Sequence, residues 1–329
     1  MPGKLIVDEI EDSGGSSVIG RKNYIINGNF DIWQRGTSFT ATGYTADRWY
    51  GIVSGTGTTT ISQQSFTLGQ TDVPNEPKYY LRIAKSSGAA SGDYLSSKNE
   101  SVRTFAGQAT VISFYAKASA ATTLTPTIRQ NFGTGGSPSS VNDAVKSDIS
   151  VTTSWQKFTI THTFDSISGK TLGTGNNDHI ELFFNIQNGA GDSVDFAQFQ
   201  WEKGSVATDF EVRPIAEELS LCQRYFELAG SGSIGRCTNT TSVQGIGGQW
   251  KVNKRTNPTL TLSDTSVEMG EIGVASRTSS GSSLSSYHAA DEYGVGDIGI
   301  DGFSSLTSPN MVGIRQNFLN VDAELWLVQ

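Results

Sequence analysis

Charge, cysteine, histidine and long apolar runs are all scarce in this sequence, and each scarcity removes a class of function. Charged residues make up 17% of the chain, against about 25% in an average domain. Lys and Arg number 24 against 32 Asp and Glu, for a net charge of −8 and a pI near 5.0. Nucleic-acid binding needs a basic footprint that displaces phosphate counterions, so no nucleic-acid partner is expected. No stretch approaches the ~20 apolar residues that span a bilayer. The opening MPGKLIVDEIEDSGG carries acids where a secretory signal needs an apolar core. The expectation is a soluble chain made in a cytoplasm, without membrane insertion. Cys222 and Cys237 are too few for a disulfide framework or a four-ligand zinc site and read as buried thiols. His162, His179 and His288 lie far apart in sequence, so the parts of a metalloprotease or a Cys–His nucleophile are missing.

Small polar residues fill the gap. The 41 Ser, 34 Thr and 37 Gly favour strands and turns over helices. Sixteen Phe, ten Tyr and six Trp supply apolar area for two domains. Alternating stretches at 47–53, 78–84, 110–117, 155–164, 179–187 and 194–201, with Gly-rich turns at 133–138 and 168–177, predict an all-β jelly-roll β-sandwich over 23–213. Along 179–187, Ile180, Leu182, Phe184 and Ile186 share the buried face, while Glu181, Phe183, Asn185 and Gln187 share a half-wet outer one. Pro214, the acidic pair Glu217 and Glu218, apolar Ile215, Leu219, Cys222 and Phe226, and Gly230 predict a linking helix over 214–230. Short strands such as 258–262 and 322–328 then make a second, smaller β domain over 231–329. Residues 1–22 hold one apolar strand, Leu5, Ile6, Val7 and Ile10, ahead of a Gly/Ser hinge. A lone strand cannot bury itself, so the segment reads as an arm completed by another chain.

The candidate chemistry is binding rather than catalysis. The run from Gly230 to Gly235 matches a dinucleotide fingerprint in letters, but it follows a helix rather than a strand. Glu181, Asp195 and Glu202 lie on neighbouring predicted strands, which keeps glycoside hydrolysis by an acidic pair open as an alternative. Tyr and Trp beside Asn, Gln and Arg make the stacking and hydrogen-bonding surface that sugars need. Tyr80, Arg82, Phe183, Asn185 and Gln187 are the candidate glycan-binding set.

Four motifs carry a family resemblance: NYIINGNFDIWQRGTSF (23–39), YTADRW (44–49), QWEKGSVATDFEVRP (200–214) and ELSLCQRY (218–225). Over residues 23–228 the chain resembles virion structural proteins of tailed bacteriophages, tail fibres and fibre-like appendages. The resemblance implies a non-enzymatic homotrimer on the virion, held to other virion proteins through its N-terminal arm and adsorbing to host surface glycan. The apolar ending at Leu325, Trp326, Leu327 and Val328 also asks for a partner. A capsid decoration protein or head fibre with a purely structural role is the alternative, and a glycan depolymerase the second. The NGNFD start is similar to the first strand of jelly-roll carbohydrate-binding modules. That likeness implies a structural Ca²⁺ held by Asp31 and Asp195, the sole cofactor expected.

Overall fold

The computed structural model describes residues 22–53, 57–88, 92–230, 232–245, 247–264, 266–288, 290–315 and 319–324. The arm residues Leu5, Ile6, Val7 and Ile10 and the ending 325–328 lie outside them. The described chain divides at Ile215 into two compact units.

Among the described residues the first unit holds thirteen strands. They are β1 (Ser38–Phe39), β2 (Gly43–Tyr44), β3 (Trp49–Ile52), β4 (Thr59–Ser65), β5 (Tyr79–Lys85), β6 (Asp93–Asn99) and β7 (Ala109–Ala118). After them come β8 (Thr122–Asn131), β9 (Asn142–Val145), β10 (Ile149–Val151), β11 (Gln156–Thr163), β12 (His179–Ile186) and β13 (Ser193–Lys203). One sheet has the order β1-β4-β5-β13-β7-β11 and the other β10-β8-β12-β6-β3-β2, with β9 also on β8. Antiparallel pairing is nested: β8 with β10, β7 with β11, β6 with β12 and β5 with β13. Successive partners fall in alternate sheets, which is a long hairpin rolled up on itself, so the unit is a jelly roll by its own strand pairing.

Alternation decides what lies between the sheets. Ile180, Leu182, Phe184 and Ile186 of β12 face Ile112, Phe114 and Ala116 of β7 in one core with Trp49, Leu81, Phe199 and Trp201. Phe114 stacks on Phe199 at 4.8 Å between ring centroids and meets Phe184 edge-on at 5.1 Å. Truncating one such ring to alanine costs about 3–5 kcal/mol. The NGNFD segment is a turn that locks this core. Asn27 donates its side-chain amide to the carbonyls of Ile32 and Asp47 and accepts from the Ile32 amide. Gly28 must be glycine there, because a Cβ would sit 2.1 Å from the Phe199 carbonyl oxygen.

The second unit begins with α1 (Ile215–Gln223). The helix predicted over 214–230 is cut short. Phe226–Ala229 instead forms a strand paired with Leu319–Asp322, whose other neighbour is Thr259–Leu262. The alternating apolar residues of that segment suit a sheet edge as well as a helix face, and the long-range partner decides. A seven-stranded antiparallel sheet covers a second core of Val267, Met269, Ile298, Ile300 and Val312. Of the strand read at 322–328, Asp322 ends Leu319–Asp322, Ala323 and Glu324 lie outside any strand, and 325–328 lie outside the described residues. Lys254 Nζ and Glu227 Oε2 form a fully buried ion pair at 2.7 Å, and both cysteines are buried. Among the described residues no helix is long and apolar enough to cross a membrane.

Candidate functional site

The five residues expected to bind glycan do not form one cluster. Tyr80 and Arg82 stand on β5 in the six-stranded sheet, whereas Phe183 and Asn185 stand on β12 in the seven-stranded sheet, with Gln187 exposed just beyond it. All alternate with core residues, so the two groups project from opposite outer faces of the sandwich. Sequence alternation separates inward from outward side chains but does not say which strands share a sheet.

On the seven-stranded sheet, register builds the surface in rows. Lys98, Glu181, Arg129 and Asp143 lie side by side on β6, β12, β8 and β9. The next row is Tyr50, Ser96, Phe183, Thr127 and Val145. The third runs Ile52, Tyr94, Asn185 and Thr125. Arg129 grips Asp143 through Nε and Nη2 at 2.7 and 2.8 Å and reaches Glu181 Oε2 with Nη1 at 3.5 Å. Its guanidinium also lies 5.0 Å over the Phe183 ring. Lys98 stands 5.7 Å over Tyr50, and Arg48 Nη2 donates to the Lys98 carbonyl at 2.6 Å. Though outward-facing, Glu181 is only 4% exposed and Lys98 5%, so the long side chains of flanking strands close over this face.

Burial sets the protonation states. It pushes the Glu181 carboxyl upward, against the opposing pull of Lys98 and Arg129. It drives His179 down to about 4, with Lys98, Arg129 and Arg48 acting in the same direction. A neutral His179 donates Nδ1–H to the Asn177 carbonyl at 2.8 Å, which leaves Nε2 as a bare acceptor 3.9 Å from Glu181 Oε2. His179 Nε2 and Asn185 Oδ1 find no hydrogen-bond partner among the described residues, and Glu181 Oε2 has the longer Arg129 contact at 3.5 Å. Along the outer side of β12 two buried groups, His179 and Glu181, are thus followed by the half-buried Phe183 and Asn185. Sequence reading found Phe183 and Asn185 but left out His179, Arg129, Lys98 and Tyr94; the alternation through His179 was the available signal.

The six-stranded sheet carries a different cluster. Arg82 holds Asp195 with Nε and Nη2 at 2.7 and 2.9 Å, and Lys117 Nζ lies 3.9 Å from the same carboxylate. Phe66, Tyr80 and Trp155 group with ring centroids 4.8 to 5.5 Å apart.

The calcium expectation does not fit these residues. Both Asp195 oxygens are taken by the Arg82 fork. Burial pushes the Asp31 carboxyl toward its neutral form, against an Asn29 hydrogen bond and the charge of Lys78, whereas calcium wants several ionised or carbonyl oxygens. Among the described residues no group of three or more His, Cys, Asp or Glu is placed to hold a metal ion. Nor do the three carboxylates read as a possible acidic pair converge. Glu181 projects from the other sheet to Asp195, and Glu202 is capped by the Thr208 amide at 3.0 Å and the Thr208 hydroxyl.

Comparison of the sequence with protein-family models and with curated proteins finds no match. Among solved structures, a tailspike protein 4 enzymatically active domain of bacteriophage CBA120 is 13% identical at TM-score 0.36. That alignment covers 55% of this chain and 21% of the tailspike, so the chain spans about a fifth of its length. A putative sugar-binding protein from Bacteroides thetaiotaomicron is 14% identical at TM-score 0.36, over 55% of this chain and all of the other. A xylan-binding domain from Paenibacillus barcinonensis is 16% identical at TM-score 0.32, over 52% and 94%. None of these scores is high enough to carry an argument about function, and the jelly roll rests on its own strand pairing.

Proposed function

We propose that this chain is a non-enzymatic, glycan-binding structural protein whose sugar-contacting surface is the outer face of the seven-stranded sheet along β12. The observation that carries the reading is the half-buried outward pair on β12, the Phe183 ring and Asn185, whose Oδ1 has no hydrogen-bond partner among the described residues, beside Tyr94 and Thr125. A buried acceptor without a donor costs about 1–3 kcal/mol. A pyranose supplies hydroxyl donors at its rim and C–H groups for the ring face.

In the same reading the protein is a tail fibre or fibre-like appendage of a tailed-phage virion. Motifs over 23–228 support this. Residues 1–22 attach to other virion proteins, and a homotrimer multiplies weak glycan contacts into avidity. A decoration protein or head fibre would share the attachment and lack the sugar.

Binding of neutral oligosaccharides on a glycan array, with full-length wild type beside Phe183→Ala and Asn185→Ala, tests the site. Phe183→Ala should weaken saturable binding by about tenfold or more, since base- or sugar-type stacking on one ring is worth ~1–3 kcal/mol. Unchanged binding by both variants overturns the surface assignment. Light scattering near three times 35.2 kDa supports the trimer. Deleting residues 1–20 should leave both units folded and abolish incorporation into particles; normal incorporation removes the attachment role.

A further inference from the structure

We infer that the outer face of the six-stranded sheet carries a second binding site, for a saccharide bearing a carboxylate, built by Phe66, Tyr80 and Trp155 around the Lys117 ammonium. Phe66 follows β4 and Trp155 precedes β11, strands separated in the sheet by β5, β13 and β7. Strands stand about 4.8 Å apart, so those two lie about 19 Å from one another on a flat sheet. Their rings nevertheless meet at 5.3 Å. The segments after β4 and before β11 thus lean over the face and meet beside Tyr80, 4.8 Å from Phe66 and 5.5 Å from Trp155. None of the three belongs to the sandwich core, and each is half-buried. An apolar ledge on the wrong side of a sheet costs solvation unless something covers it.

Beside this ledge two cations share one carboxylate, and a second carboxylate, Asp192, stands at the far end. In a chain of net charge −8, Arg82 and Lys117 converge on one carboxylate, Asp195, and Arg82 occupies both of its oxygens. Lys117 Nζ lies 3.9 Å from Asp195, 5.1 Å over Trp155 and 5.9 Å over Tyr80. It makes no hydrogen bond among the described residues, so its three N–H donors are available. A depression of about 240 Å³ opens here, lined by Arg82, Lys117, Ser119, Thr153, Ser193 and Asp195. That is smaller than the ~300–1,000 Å³ of drug-sized pockets and suits one sugar unit.

The neighbours also set the orientation. Ser119 sits against Asp192, its hydroxyl 3.5 Å from that carboxylate, so an anionic group is repelled from that end and drawn to Lys117. Thr153 and Ser193 are left for sugar hydroxyls in the depression, and Lys117, which lines it and lies over Trp155 and Tyr80, joins it to the aromatic ledge on which the next sugar ring of the same saccharide rests. A neutral sugar would leave the ammonium without an acceptor, and a cationic one would be repelled.

The test is calorimetry on the full chain with trigalacturonate and with its methyl ester, the neutral counterpart of the same sugar. The acid should bind about tenfold tighter than the ester at low salt, the value of one charge-assisted contact. Lys117→Met, which keeps the stem over Trp155, should erase that preference. Trp155→Ala should weaken both ligands. Equal binding of acid and ester, or a preference that survives Lys117→Met, overturns the site. Equally tight binding of triglutamate also overturns it, because charge alone would then be read. Loss of ester binding in Phe183→Ala bears on the other face only, so the two assignments fail separately.

Discussion

The two outer faces of the sandwich are made from the same parts and treat charge in opposite ways. Each sets aromatic rings beside Arg, Lys and a carboxylate on alternate residues of neighbouring strands. On the seven-stranded sheet one of the two cations flanking the carboxylate is dry: Lys98 is buried with Glu181, while Arg129 keeps 25% of its side chain in water. On the six-stranded sheet Arg82 and Lys117 keep 34% and 31% of their side chains in water. Both carboxylates have a cation on each side, Glu181 between Lys98 and Arg129 and Asp195 between Arg82 and Lys117, but β9 adds Asp143 beyond Arg129. Asp195 instead has the open depression beside it. A dry network is fixed in place before any ligand arrives, whereas a wet one adjusts and is screened by salt. The contrast predicts how each face responds when one member is removed.

The largest response belongs to Glu181. Glu181→Ala removes the carboxylate beside the buried Lys98, while Arg129 keeps its fork on Asp143, and should cost about 3 kcal/mol, the low end for breaking a buried charge pair. Glu181→Gln should cost less, because burial already pushes that carboxyl toward its neutral form. Urea denaturation of the three proteins measures the order. A loss below about 1 kcal/mol for Glu181→Ala, the range of a surface ion pair, would erase the distinction between the faces.

Acid sharpens the same contrast. His179 titrates near 6.5 when unfolded and near 4 in the fold. Between those values the unfolded chain takes up a proton that the native ring refuses, so stability falls as pH drops through the window and levels off below about 4. The two pKa values set the full loss at about 3 kcal/mol. Glu181 works the other way, since its native carboxyl accepts a proton at a higher pH than the unfolded one and acid relieves its burial. Between pH 7 and 4.5, His179→Gln should therefore lose less melting temperature than wild type, and Glu181→Gln more. His162, also lowered to about 4 by burial and by Lys146, adds a loss of the same sign; His162→Gln run in parallel separates it. Parallel curves for wild type and His179→Gln would show that the ring is not held neutral.

Alternation made half of this face legible and hid the other half. The four inward residues of β12 are fully buried as their period predicts. The stretches read at 78–84, 110–117 and 194–201 coincide with β5, β7 and β13 to within a residue or two. β6 and β8 escaped notice. The run Ser96, Ser97, Lys98, Asn99 is polar on both faces, and Pro126 interrupts β8, opposite Phe184. Those two strands carry Lys98 and Arg129, so the partners that bury Glu181 could not be read from its own neighbourhood. The nested pairing that places β5 and β12 in different sheets is equally nonlocal, which is why one list of glycan residues became two surfaces. The helix overran its true end for the same reason: the strand that claims Phe226 arrives from residue 322.

The smallest responses are expected on the wet face, and there the order of two substitutions carries the information. Asp195 is buried although its partners are not, so what it loses matters more than what the cations lose. Arg82→Met removes both short hydrogen bonds to it and should cost about 1 kcal/mol, reduced from the value of a dry bidentate pair because water reaches the guanidinium. Lys117→Met removes only a contact at 3.9 Å and should change stability by less than about 0.5 kcal/mol. Added salt should shrink both effects. In the double variant the Lys117 change should cost more than it does alone, because without Arg82 the ammonium becomes the carboxylate's nearest counter-charge. A strictly additive cycle would mean that Asp195 is served by Arg82 alone, leaving Lys117 to the aromatic ledge.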